Sequence, residues 1–108
     1  MQHTYHISID EAVKLLNKEK NRFVEVMSDG KMTVEYYAPP QLIDEQKPHS
    51  KDELYIIASG KSDFLRDKEA ISCIKGDVIF VPAKMEHRFI NFSDDFATWV
   101  IFYGDEVI

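Results

Sequence analysis

The chain has 108 residues with 19 acids against 13 bases, a formal net charge of −6, which suits one domain with one core and argues against a phosphate-rich partner. Hydrophobic residues make up 44% and charged residues 30%. No run approaches the roughly 18 apolar residues of a membrane helix, and the acidic start MQHTYHISIDE does not read as a secretory signal. Cys73 is the single cysteine; it excludes an internal disulfide or a cysteine zinc cluster and fits a reducing, cytoplasmic setting.

The first predicted element is a helix over about residues 9–18. Ser8 and Glu11 have capping-box spacing, and Ala12, Val13, Leu15 and Leu16 supply the expected apolar face. The period then turns extended. Residues 23–27 and 32–37 read as a hairpin around Ser28-Asp29-Gly30-Lys31, closed by Pro39-Pro40. A polar loop over 42–51 leads to a strand at 54–58. Further strands are expected at 63–66, 70–74, 78–82, 87–92 and 96–103, separated by Gly, Asp and Pro turns. Roughly eight to ten short strands after one helix indicate an all-β sandwich or small barrel.

Strand parity brings chemistry to one face. Lys47, His49, Glu53, Tyr55 and Ile57 share one face if pairing is regular through that stretch, while His87, Phe89 and Asn91 share a side of a later strand. Two imidazoles and a carboxylate converging inside a barrel form a donor set for iron, manganese, zinc or nickel. Against this stands the ordinary reading, in which each His is hydrogen-bonded or exposed and Glu53 beside Asp52 is solvated.

Two spaced motifs then resemble the cupin superfamily of small double-stranded β-helix, or jelly-roll, domains. In the first, His49, Glu53 and Gly60 fall at the family's spacing; in the second, Gly76, Pro82, His87 and Asn91 do. The resemblance spans about residues 23–103, so the chain is expected to be a single cupin domain with an N-terminal helix. The texture is similar to small single-domain bacterial cupins. Three positions depart from the pattern: Gln41 and Lys84 replace glycines, and Lys47 replaces the first His ligand. An ammonium cannot ligate. The resemblance therefore implies a metal held by His49, Glu53 and His87, with Gln46 or a water as fourth ligand.

Other residues carry weaker expectations. Tyr36, Tyr37, Tyr55, Phe89, Trp99 and Phe102 are candidates to line a ligand pocket, although aromatics at strand spacing are mostly core. Lys47 has an alternative as a base or Schiff-base amine. His3, His6 and Arg88 are expected at the surface, Asp52 at the rim, and Cys73 as a small buried hydrophobe. Gly60, Gly76 and Pro82 read as turn and strand-end residues.

Two functions follow from the resemblance. One is a metal-dependent oxygenase, isomerase or lyase acting on a small polar organic molecule. The other is a non-catalytic module that binds a small ligand, with or without metal. The resemblance also implies a homodimer, and no nucleic-acid or membrane partner is expected.

Overall fold

The computed structural model describes residues 4–19, 22–40 and 48–108. Helix α1 (Ile9–Asn17) is followed by strands β1 (Phe23–Asp29), β2 (Met32–Tyr37), β3 (Asp52–Ser59), β4 (Lys61–Arg66), β5 (Glu69–Ile74), β6 (Val78–Val81), β7 (His87–Ile90) and β8 (Ala97–Tyr103). A five-stranded sheet in the order β1-β2-β8-β3-β6 packs against a three-stranded sheet in the order β5-β4-β7. Every pairing is antiparallel. The architecture is the expected all-β jelly roll with one short helix.

Local sequence accounts for the helix. The Ser8 hydroxyl accepts from the Glu11 backbone N–H at 3.1 Å while the Glu11 carboxylate accepts from the Ser8 N–H at 3.4 Å, completing the capping box. Of the four apolar residues expected on one face, only Ala12 and Leu16 are buried; Val13 and Leu15 lie more than a third exposed. Positions four apart stack along a helix, whereas 13 and 15 turn to either flank.

The hairpin forms one step tighter than expected, with Asp29 opposite Met32 and Gly30 in the left-handed region at φ 56°. A bulge between Glu25 and Met27 shifts its register. Phe23 and Glu25 thereby line the inner face, while Val24, Val26 and Met27 pack in the cluster under α1.

Two apolar clusters result. The first fills the space between the sheets with Tyr37, Tyr55, Ile57, Phe64, Phe89 and their neighbours. The second lies under α1 and holds Ala12, Leu16, Val26, Val34, Tyr36 and Ala97. Strand β8 serves both, because alternate residues point to opposite sides. Val100 enters the first cluster, with Phe102 packed against it; Trp99 and Ile101 pack against the second.

Gly60 closes the β3–β4 turn at φ 71°. A Cβ there would stand 2.5 Å from Ser93 Oγ and 2.8 Å from Phe96 Cα, so conformation and space both require glycine. Lys84 meets only the first condition: it adopts φ 69° at the position where the cupin pattern has glycine.

Candidate metal centre

Three elements deliver the predicted donors. His49 precedes β3, Glu53 sits near the start of β3, and His87 opens β7 on the other sheet. Parity works as expected: Glu53, Tyr55 and Ile57 are buried on β3, and His87 and Phe89 are buried on β7 with Arg88 exposed between them. One donor atom from each of His49, Glu53 and His87 lies within 4.8 Å of the others.

His87 is held tightly. Its Nδ1 stands 3.0 Å from the Met85 carbonyl. A carbonyl only accepts, so Nδ1 carries the proton and Nε2 is the nitrogen turned to the site. Nε2 lies 2.7 Å from Glu53 Oε1, with both side chains only 1% exposed. An imidazole lone pair and a carboxylate oxygen at that separation repel unless a cation, proton or metal, lies with them. His49 Nε2 lies 3.9 Å from Glu53 Oε2, and its ring sits edge-on to Phe102 at 4.9 Å.

The donor set fits a divalent transition ion. Metal–nitrogen and metal–oxygen bonds of about 2.0–2.2 Å put neighbouring donors about 3–3.5 Å apart, and the separations of 2.7 and 3.9 Å bracket that range. Among the described residues, Glu53 Oε2 is buried without a hydrogen-bond partner, which a cation would satisfy. Tyr55 donates its hydroxyl to Glu53 Oε1 at 3.3 Å and so orients the carboxylate from beneath, the kind of support that metal-bound carboxylates receive.

Beside this cluster opens a cavity of about 630 Å³ whose lining includes His49, Phe102, Tyr37, Glu35, Glu25 and Lys51. That size suits a small organic ligand. Glu35 has its carboxyl pushed up from 4.5 to about 7, chiefly by burial, then by the charges of Glu25 and Glu53.

Several expectations need correction. Trp99 is not a pocket residue: it packs in the cluster under α1 and meets Tyr36 edge-on at 4.9 Å, since Val100 takes the inward place on β8. Tyr36 is turned away for the same reason. Phe89 is wholly buried among Phe64, Tyr55 and Phe96 at 4.7–5.0 Å; it is core below the site and does not line the cavity. Tyr55 is likewise buried and acts through Glu53. Tyr37 and Phe102 do line the cavity.

Asp52 accepts from the Ala83 N–H at 2.8 Å, a structural bond. His6 is exposed, and Cys73 is buried with its thiol raised to about 11, first by desolvation and then by Asp77. His3, Gln41, Gln46 and Lys47 lie outside the described residues.

Glu25 and Glu35 had no counterpart among the expected site residues. The available signal was alternation in β2, which puts Thr33, Glu35 and Tyr37 on one face and therefore an acid on an inner wall.

Comparison with known proteins gives a consistent result. A protein of Streptomyces coelicolor, itself uncharacterised, is 32% identical over 85 residues, covering 78% of this chain and 81% of that one. The plu4264 protein of Photorhabdus luminescens shares the fold with a TM-score of 0.70 at 20% identity, covering 97% of this chain and 90% of the other. A chain from a structure of DMSP lyases superposes with a TM-score of 0.62 at 23% identity, over 78% of this chain and 47% of that one. Residues 33–103 match the Cupin domain family, and on that match, with the two motifs folded into one jelly roll, this chain belongs to the cupins.

Proposed function

We propose that this protein is a single-domain cupin that binds one divalent transition metal through His49, Glu53 and His87 and uses it on a small polar organic molecule in the adjoining cavity. The reaction class is oxygenation, isomerisation or lyase chemistry. The observation that carries the reading is the buried His87 Nε2–Glu53 Oε1 approach at 2.7 Å, with His87 oriented by Met85. A divalent iron, manganese, zinc or nickel ion there would supply a Lewis acid for a substrate oxygen or activate water or dioxygen. The chain's own residues support this reading. Met85 fixes the His87 ring, Tyr55 holds the Glu53 carboxylate, and Phe102 packs edge-on against His49. A water would complete the donor set; Gln46, the other candidate by sequence, lies outside the described residues.

The second reading is a ligand-binding module without catalysis. It is favoured by Lys47, which stands at the first His position of the cupin motif. Both readings use a small-molecule partner. Among the described residues no helix is long and apolar enough to cross a membrane, and we assign a cytoplasmic location on the single cysteine. A homodimer is supported by two of the four sheet edges: β5 and β6 each end a sheet and expose Ile71, Ile74, Val78 and Phe80.

The test is metal content by plasma mass spectrometry on tag-free protein, beside His87→Ala. Near one equivalent of a transition metal in the wild type, lost in the variant, supports the centre. A wild type that takes up none after reconstitution with iron, manganese, zinc and nickel refutes it.

A further inference from the structure

Glu35 is an expensive residue where it stands. Its neighbours across the strands are Glu25 on β1 and Val100 on β8, and Val100 in turn pairs with Tyr55 on β3. Glu53 lies two residues from Tyr55 along that strand, opposite Phe102. Glu35 therefore lies two strands across the sheet from the metal centre's own strand, on the same concave face, and shares one cavity wall with His49. Tyr37, Val100 and Phe102 show that the wall packs well with apolar and aromatic side chains. Nothing in the packing requires an acid, and a carboxylate placed directly opposite Glu25 destabilises the sheet. A costly polar group kept in a cavity next to a donor cluster marks a functional position.

We propose that Glu35 is the proton-carrying residue of this cavity: its carboxyl touches the small molecule held at His49, Glu53 and His87 and exchanges a proton with it. The inference rests on the metal-centre reading and adds the second reacting group. Acting as an acid, Glu35 loses its O–H proton to a lone pair of the ligand, and the O–H electron pair stays on the carboxylate. Acting as a base, it takes a proton from an O–H, N–H or activated C–H of the ligand, whose electron pair remains on the ligand. No oxidant or reductant enters the step.

The surroundings favour this role. Among the described residues, titratable groups in and around the cavity are Glu25 from β1, Tyr37 from β2, Glu53 and Tyr55 from β3, His87 from β7, His49 and Lys51 from the segment before β3, and Glu106 near the C-terminus; β8 contributes only Val100 and Phe102. Lys51 directs its ammonium to the Lys31 carbonyl at 2.9 Å. Burial with Glu25 and Glu53 nearby brings Glu35 to about 7, where a carboxyl both gives and accepts a proton at neutral pH. The acidic wall also defines the ligand class: a neutral or cationic small molecule with an exchangeable or acidic hydrogen.

The experiment uses cobalt(II)-loaded protein with azide as probe, because azide keeps one negative charge between pH 6 and 9 and its binding is read in the cobalt visible spectrum. In the wild type, azide affinity is expected to fall as pH rises, by up to about tenfold per pH unit, as Glu35 ionises, with a midpoint above the ordinary carboxylate range. Glu35→Gln is expected to lose that dependence with cobalt stoichiometry unchanged, and Glu25→Gln to move the midpoint lower. Cobalt-loaded Glu35→Gln with the wild-type pH profile overturns the inference and leaves the metal centre standing. Should Glu35→Gln fail to fold, an unmoved midpoint in Glu25→Gln overturns it equally. Failure of the wild type to bind cobalt overturns the metal centre, and this inference with it.

Discussion

Replacing Glu35 by Gln is expected to stabilise the metal-free protein in a strictly pH-dependent way. Folding raises this carboxyl from 4.5 to about 7. Between those values the native state holds a proton that the unfolded chain has already released, so stability falls as pH rises through the window. Below it both states are protonated and nothing is lost; above it the full cost is present. At ~1.36 kcal/mol per pH unit the rise corresponds to roughly 3 kcal/mol. Glu35 is only partly buried, and solvent screening brings the expected figure to about 2 kcal/mol. Gln keeps the shape and does not titrate. Urea unfolding of both proteins in chelator should therefore give nearly equal midpoints at pH 4.5 and a Glu35→Gln midpoint higher by roughly 1 M at pH 8, given slopes of about 1–3 kcal/mol/M. An equal gap at both pH values, or a variant less stable at pH 8, would refute the reasoning.

Lys84→Gly should stabilise the fold by about 0.5–1 kcal/mol in the same assay, because it removes a non-glycine residue from φ 69° while adding some freedom to the unfolded chain. Gly60→Ala should cost about 2–4 kcal/mol or prevent folding, since the new methyl meets Ser93 and the Phe96 backbone at 2.5 and 2.8 Å; a thermal melt within 2 °C or so of the wild type would contradict the packing described. Saturating manganese or zinc at about a hundred times its dissociation constant should add about 2.7 kcal/mol and raise the melting temperature by about 10 °C. His87→Ala should show no such rise.

The parts of the site readable in the sequence were those carried by fixed spacing and by alternation within one strand. His49, Glu53 and His87 met both conditions, and the structure brings their donor atoms together. Trp99 shows where alternation stops. It separates Trp99 from Val100 but cannot say which side faces the barrel, because that depends on α1 covering the outer face of the five-stranded sheet. Glu35 was hidden for a related reason. Its character comes first from burial and then from Glu25 across a hairpin whose register includes a bulge, and no motif encodes either. The helix expectation failed only at Val13 and Leu15, where apolar residues were counted without their angular positions.

Under the proposed metal centre, the connection between β6 and β7 would bear on which ion fits. Besides the turn bond from the Met85 N–H to the Pro82 carbonyl, it makes three bonds: Ala83 N–H to the Asp52 carboxylate at 2.8 Å, Lys84 N–H to the His49 carbonyl at 2.8 Å, and the Met85 carbonyl to the His87 ring at 3.0 Å. This short segment is thus a gauge between the imidazole just before β3 in one sheet and the imidazole that opens β7 in the other. The two rings cannot be respaced independently. Substitutions at Ala83, Lys84 or Met85 would retune the ion size that the site accepts without altering a single donor, and the Lys84 amide, by its exchange rate with solvent, would report when the bite opens.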